Sequence, residues 1–338
     1  LRIALVKLSA LGDIVHTWPL AAAIRDARPD AHLTWVVEAP LAPLVAGHPA
    51  VDAVITTATR RWRRRPFAAR TRAEIAALKT RFGELQPELA IDVQGTVKSA
   101  VVTRWTRAAR RVGLARPWRR ELVAGFALTE TIPGARDRRH VVATNLELLR
   151  ALGAEPPGSP TPPDGGWLIR GTEAFGGPWS EPYAVLLPGA GQPDKILATG
   201  TLAETARHLV ATGLEAVVAW GPSEEARAAE VVELGGEGVH LAPPTDLVEL
   251  ARLLGGAAVV VGGDTGPVHL AASLGVPTVG VFLTTDRERN RPIGPSVAVV
   301  SGAAPGGGAR GSATTGRARA VAPREICDAL DALLPTDR

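Results

Sequence analysis

The sequence predicts an α/β fold of two lobes, each a parallel sheet covered by helices on both faces, and three observations carry that reading. Short apolar runs alternate with helical patterns along most of the 338 residues, the order that buries parallel strands under crossover helices. The chain also exceeds the roughly 250–300 residues at which a single hydrophobic core stops growing. Ala154 to Gly166, with Pro156, Pro157, Pro160, Pro162, Pro163 and paired glycines, interrupts the alternation with a stiff linker. A boundary there leaves lobes over 1–160 and 167–322, followed by a C-terminal helix and tail over 323–338.

In the first lobe, Ile3 to Leu8 reads as a buried strand and a helix follows from about Asp13. Leu33 to Val37, Val51 to Thr56 and Leu89 to Val93 are further strands, with helices over Ala73 to Leu85 and from Lys98. These apolar runs are too short for helices and lack the polar alternation of a half-solvated strand. The second lobe repeats the pattern with strands at Tyr183 to Leu187, Ala216 to Trp220, Val239 to Leu241, Ala257 to Val261 and Thr278 to Phe282. Its helices are expected over Leu202 to Ala211, Glu224 to Leu234, Leu247 to Leu254 and Leu270 to Leu274. Gly302 to Arg319, rich in Gly, Ala, Ser and Arg, reads as a loop before a last helix at about Pro323 to Leu334. Both lobes are therefore Rossmann-like, and their carboxyl-terminal strand edges are expected to face a central cleft for a nucleotide and a second substrate.

An apolar fraction of 46% and a charged fraction of 21% are those of a soluble globular protein. No apolar run approaches the roughly 20 residues of a membrane span. No basic-then-apolar leader precedes the first strand, and the lone Cys327 excludes an internal disulfide framework, so a reducing cytoplasm is expected. The net charge of +4 hides an asymmetry: residues 1–170 hold 26 Lys and Arg against 15 Asp and Glu, residues 171–338 hold 12 against 19. The densest run is Arg60-Arg61-Trp62-Arg63-Arg64-Arg65, and Arg104, Arg107, Arg110, Arg111, Arg116, Arg119 and Arg120 follow. An anionic partner for the first lobe is implied: nucleic acid, an anionic membrane or a phosphorylated substrate. Nucleic acid is the weakest of these, because one Tyr and five Phe make no stacking platform.

Chemistry concentrates at strand-to-helix turns. Gly262-Gly263-Asp264-Thr265-Gly266-Pro267-Val268-His269 follows an apolar run and opens a helix, where backbone N–H groups and the macrodipole attract an anion such as a pyrophosphate. Asp264 is either an N-cap or part of that site. Lys195, in the glycine loop Gly189-Ala190-Gly191-Gln192-Pro193-Asp194-Lys195, is either a surface lysine or a cation for a departing diphosphate. Glu224 suits ribose hydroxyls or a first helical turn. The first turn, Lys7-Leu8-Ser9-Ala10-Leu11-Gly12-Asp13-Ile14-Val15-His16, lacks the three glycines of a dinucleotide fingerprint. Asp13 is either an N-cap or a general base for an attacking hydroxyl. His16 and His269 show no metal-ligand spacing, so no metal site is expected.

The combined pattern resembles the lipopolysaccharide heptosyltransferases of glycosyltransferase family 9, which have the GT-B fold. The resemblance rests on Lys7-x-Ser9-x-x-Gly12-Asp13-x-x-His16-Thr17-x-Pro19, Trp35-Val36-Val37-Glu38, Arg60-Arg61-Trp62-Arg63 and Asp92-Val93-Gln94-Gly95-Thr96-Val97-Lys98-Ser99. Arg120-Glu121, Lys195 and Asp264-Thr265-Gly266-x-x-His269 complete it. The arginine and Asp-x-Gln-Gly elements are similar to those of the enzymes that add the first heptose. Two elements depart from the family pattern: Ile196-Leu197-Ala198 replaces a Trp-Pro pair, and Leu283-Thr284-Thr285-Asp286-Arg287 replaces a Gly-Pro-Thr-Asp-Pro loop.

The resemblance implies that Asp13 activates a hydroxyl of Kdo on Kdo2-lipid A, which displaces ADP from ADP-L-glycero-β-D-manno-heptose with inversion. It implies donor contacts by Lys195, Glu224, Asp264, Thr265, Gly266 and His269, and acceptor contacts by Arg60, Arg61, Arg63, Lys98 and Arg120. No cofactor is implied, a magnesium requirement is left open, and the acceptor implies peripheral attachment to the cytoplasmic face of the inner membrane. Two alternatives carry the same fold: a transferase that adds a later heptose or another sugar, and a sugar-nucleotide epimerase. The epimerase has no use for a basic acceptor surface.

Overall fold

Parallel strands buried on both faces need apolar runs, and in the first half β1 (Arg2–Val6), β2 (His32–Glu38), β3 (Ala53–Thr57) and β4 (Leu89–Asp92) supply them. The computed structural model describes residues 1–134, 140–180, 182–302 and 320–334. With β5 (Arg110–Leu114) and β6 (Glu130–Ile132), these strands form a six-stranded sheet in the order β3-β2-β1-β4-β5-β6. Every neighbouring pair is parallel, and Leu5 of β1 sits between Trp35 and Ile91. Its helices are α1 (Leu11–Val15), α2 (Trp18–Ala27), α3 (Thr59–Arg64), α4 (Ala69–Leu85), α5 (Val97–Trp105) and α6 (Val141–Leu146).

The second half builds β7 (Tyr183–Leu187), β8 (Glu215–Val218), β9 (Val239–Leu241), β10 (Val259–Gly263), β11 (Thr278–Phe282) and β12 (Val297–Ser301). Their order is β12-β11-β10-β7-β8-β9, again with parallel pairs throughout. Counted from its own first strand, each sheet has the order 3-2-1-4-5-6 of a doubly wound nucleotide-binding fold. The helices here are α7 (Gly166–Ile169), α8 (Thr199–Ala211), α9 (Glu225–Gly235), α10 (Leu247–Gly255), α11 (Gly266–Ser273), α12 (Arg287–Asn290) and α13 (Pro323–Leu333). Two compact units result, Leu1–Thr161 and Pro162–Arg338.

Three details differ from the sequence reading, and a fourth expectation falls outside the described residues. The helix expected from Asp13 is two helices, because Pro19 has no N–H to donate and is tolerated only in the first turn of α2. Strands β5, β6 and β12 went unread: β5 opens on two arginines, β6 has three residues, and β12 is an edge strand. The linker expected up to Gly166 ends in the short turn of α7. The expected loop from Gly302 to Arg319 lies, apart from Gly302, outside the described residues, as does the tail at 335–338.

Helix α13 packs on α8, β11 and β12, with Ile326 and Leu330 buried in the same core as Val279, Val281 and Val300. Its apolar face is thus part of the second unit. Ile326→Ala removes a fully buried side chain and is expected to destabilise that unit by about 2–5 kcal/mol, read as a lower denaturant midpoint.

Candidate active site

In an open α/β sheet the ligand crevice lies beyond the carboxyl ends of the strands where the order reverses. In the first unit that place is between β1 and β4. The loop after β4 is held from within: Asp92 accepts hydrogen bonds from the Gln94 and Gly95 N–H groups and the Ser99 hydroxyl, each at 3.0 Å. Asp92 is wholly buried, and burial raises its pKa against those bonds. Gln94 Oε1 accepts from the N–H groups of Leu8 and Ser9, at 2.8 and 3.3 Å, which joins the β4 loop to the β1 loop. Thr96 and Ser99 cap α5 reciprocally. Gly95 has φ +62°, and a Cβ there would lie 3.0 Å from Arg119 Cγ and 3.3 Å from the Arg120 nitrogen. Glycine thereby lets the loop carrying Arg120-Glu121 approach, and Glu121 accepts from the Val97 N–H at 2.7 Å.

This scaffold gathers a carboxylate and several cations. Asp13 stands in the first turn of α1, where its side chain accepts from the Ala10 N–H at 3.2 Å; Ala10 itself is the N-cap. Lys7 Nζ and an Arg120 nitrogen each lie 3.8 Å from the Asp13 carboxylate. Lys98 reaches from α5 to the Ser9 hydroxyl at 2.5 Å. Burial lowers the Lys98 pKa, the nearby charges of Arg60 and Arg120 lower it further, and Glu38 and Asp13 oppose the shift. Asp13, Lys98, Arg60 and Arg120 are therefore brought into one electrostatic neighbourhood.

Helix α3, which carries the arginine run, has six residues and no side-chain cap. A helix this short is not stable alone. Buried Glu38, at the end of β2, holds its beginning by accepting from the Thr59 N–H at 2.9 Å and from the Thr57 and Thr59 hydroxyls. Glu74 on α4 holds its other side through Arg61 at 2.5 Å and Trp62 Nε1 at 2.8 Å. The Arg61 hydrogen bond, with those of Trp62 and Arg70, keeps the Glu74 carboxyl at about 2. Arg61 is thus brought to Glu74 rather than to Lys98, while Arg60 and Arg63 are exposed.

The arginines beyond residue 100 also divide. Arg119 is buried and donates to the carbonyls of Leu114 and Leu122, Arg110 forms a two-point pair with Glu130 at 2.8 Å, and Arg111 bonds the carbonyls of Ala108 and Ala127. These fasten β5 and its neighbours. Arg116 and Arg120 remain exposed.

In the second unit the order reverses between β7 and β10. Lys195, in the loop after β7, pairs with Asp264, just past β10, at 2.6 Å, and His269 Nε2 lies 3.3 Å from the same carboxylate. Burial opposes ionisation of Asp264, yet the bond and charge of His269 together with the Lys195 ammonium outweigh it and hold the carboxyl at about 2. Asp264 is not a cap: Thr265 occupies the N-cap of α11 with no side-chain cap bond, and its buried hydroxyl has no partner among the described residues. Gly266 and Pro267 form the first turn, leaving N–H groups for an anion. Glu224 accepts from the Gly221 N–H at 2.9 Å and presses on Gly189, where a Cβ would lie 2.0 Å from its carboxylate. Two family departures find local roles: Leu197 joins the core, and Asp286 caps α12 by accepting from Glu288 N–H. Among the described residues, no three His, Cys, Asp or Glu side chains gather as metal ligands.

The sequence reading gave roles to Asp13, Lys98, Arg120, Lys195, Asp264 and His269, but none to Lys7, Glu38, Asp92 and Glu121, quoted only within motifs, nor to Glu74. Glu38 was visible only inside Trp35-Val36-Val37-Glu38, and Glu74 reads as one more exposed helix acid.

Comparison with known proteins gives a consistent picture. The family model of glycosyltransferase family 9 (heptosyltransferase) matches residues 75–310. The chain is 34% identical over 294 residues to lipopolysaccharide heptosyltransferase 1 of Salmonella typhimurium, covering 85% of this chain and 89% of that protein. It superposes on E. coli heptosyltransferase WaaC with ADP at a TM-score of 0.82, with 29% identity, covering 99% of this chain and all of that one. The same enzyme with ADP-2-deoxy-2-fluoro heptose gives a TM-score of 0.80, with 29% identity, over 98% of this chain and 99% of that one.

Asp264 titrates at about 2 in the folded chain against an ordinary 3.8, so its ionisation contributes stability above pH 3.8 that is lost as pH falls through 2. The wild-type advantage over Asp264→Asn is expected to be about 2 kcal/mol near neutral pH and to shrink across that acid window, measured by denaturant unfolding at each pH.

Proposed function

The chain belongs to glycosyltransferase family 9, the heptosyltransferases, with the two Rossmann-like domains of the GT-B fold, and from that membership we propose that it transfers L-glycero-D-manno-heptose from ADP-L-glycero-β-D-manno-heptose to a Kdo hydroxyl of Kdo2-lipid A. The observation that carries the proposal is the placement of Asp13 among Lys7, Lys98 and Arg120 at the β1/β4 reversal. A carboxylate ringed by cations is placed to act beside an anionic acceptor.

In this reading Asp13 takes the proton of the attacking Kdo hydroxyl. The oxygen bonds the anomeric carbon as the bond from that carbon to the diphosphate oxygen breaks, and the donor configuration inverts. ADP leaves with the charge of the broken bond. Lys195, the Thr265 hydroxyl and the N–H groups of Gly266 and Val268 bind that diphosphate, Asp264 and His269 hold Lys195 and the turn in place, and Glu224 receives the ribose hydroxyls. Lys98, Arg60, Arg63 and Arg120 receive the Kdo carboxylates and lipid A phosphates, with Arg61 contributing charge from its pair with Glu74.

An acceptor embedded in the inner leaflet requires the enzyme at the cytoplasmic face of the inner membrane. No helix among the described residues is long and apolar enough to cross a membrane. Attraction of about 1 kcal/mol per basic residue near an anionic surface supports a peripheral attachment.

Asp13→Ala is expected to lower turnover by about 10²–10⁴-fold while ADP-heptose binding, followed by calorimetry, stays at the wild-type level; near-normal turnover would remove the base assignment. Replacing Arg60 and Arg63 together by Ala is expected to raise the KM for Kdo2-lipid A about tenfold or more with donor KM unchanged, and an unaltered acceptor KM would move recognition elsewhere.

A further inference from the structure

The two segments that deliver the acceptor-side cations also present most of the exposed large apolar side chains. Four of the seven found among the described residues are Phe67, Leu122, Val123 and Phe126. Phe67 is 86% exposed in the connection between α3 and α4, with Arg63, Arg64 and Arg65 before it and Arg70 and Arg72 after it, all exposed. Leu122, Val123 and Phe126, exposed by 51%, 71% and 55%, lie on a 3₁₀ turn over Leu122–Ala127. That turn is inverted relative to the usual economy of burial. Its small residues Ala124 and Ala127 pack inward on Ala100 of α5, and its large apolar residues point to solvent. The arrangement is enforced rather than loose, because Arg119 donates to the Leu122 carbonyl and packs against Gly125, where a Cβ would meet its guanidinium at 2.1 Å. Exposed Arg116 and Arg120 flank it.

We propose that Phe67 and the Leu122–Ala127 turn are two apolar wedges that enter the acyl boundary of an anionic phospholipid bilayer, with the surrounding arginines on its headgroups. Charge complementarity selects this occupant. Exposed guanidinium groups flanking protruding Phe, Leu and Val suit a surface that is anionic at its face and hydrocarbon just beneath, and guanidinium repulsion opposes pairing these wedges with a second copy of the chain. Basic residues alone give a salt-sensitive attachment, whereas inserted apolar groups hold when charges are screened. The proposal rests on the acceptor assignment above for its biological setting, and it adds a physical means of bringing Lys98, Arg60 and Arg120 to a lipid-embedded substrate.

The test is co-sedimentation of the full chain with vesicles of phosphatidylcholine containing phosphatidylglycerol, free of lipid A, beside the variant Phe67→Ser, Leu122→Ser, Val123→Ser, Phe126→Ser. All four residues are exposed, so the fold is expected to survive. Expected is wild-type binding that weakens yet persists at about 1 M salt, where the Debye length is about 3 Å, and a partition coefficient lower in the variant by about tenfold or more at every salt concentration. Turnover of ADP-heptose with a soluble, deacylated Kdo acceptor is expected within about twofold of wild type in the variant. A partition coefficient unchanged in the variant, binding abolished by salt in the wild type, or a dimer that the four substitutions dissociate would each overturn the proposal. Vesicle binding as expected with no turnover by either protein would instead sink the transferase reading and leave the wedges standing.

Discussion

Reversal of strand order at the centre of each sheet is the constraint on which the rest of the molecule depends. Chain leaving β1 and β4, or β7 and β10, departs in opposite directions, so no crossover helix covers the carboxyl ends of those strands. The two units answer the exposed turn differently. In the first, Gln94 and Asp92 satisfy the N–H groups of the turns with side chains of the same domain, which leaves charged groups at the surface. In the second, the first turn of α11 has no side-chain cap and Thr265 keeps an unsatisfied hydroxyl, a donor set suited to phosphate oxygens.

The positive charge of the first unit is less uniform than its total suggests. Arg110, Arg111 and Arg119 are fasteners, consumed by carbonyls and by Glu130. Arg60 and Arg120 are the arginines whose charge reaches Lys98, and Arg120 also lies beside Asp13. Guanidinium suits both tasks, since it stays charged when buried and offers several directed donors. An arginine-rich segment therefore announces charge in the sequence without announcing which residues spend it on structure.

The central strands were legible because parallel, doubly covered strands leave continuous apolar runs, as at Tyr183–Leu187 and Thr278–Phe282, and helix α10 was legible from its helical pattern. Strands β5 and β6 were not, since β5 opens on two arginines and β6 is an edge strand of only three residues. Asp13, Lys195, Asp264 and His269 were legible because glycine turns mark them. What the sequence could not separate was cap from site: the partners that distinguish Asp264 from an N-cap are a lysine 69 residues away and a histidine five residues on. Glu38 and Glu74 escaped for the same reason, as their meaning lies in long-range partners.

Those two carboxylates give helix α3 an unusual standing. It has no cap and too few residues to persist alone, and Glu38 and Glu74 fasten it from neighbouring elements through Thr59, Arg61 and Trp62. Its remaining positions, Arg60, Arg63 and Arg64, are exposed and carry no part of that fastening. The helix behaves as an exchangeable cassette between two fixed pins. On the proposed function, drift at the outward positions would retune which anionic acceptor is taken while the sheet and the two pins stay as they are, so acceptor preference would evolve on its own clock.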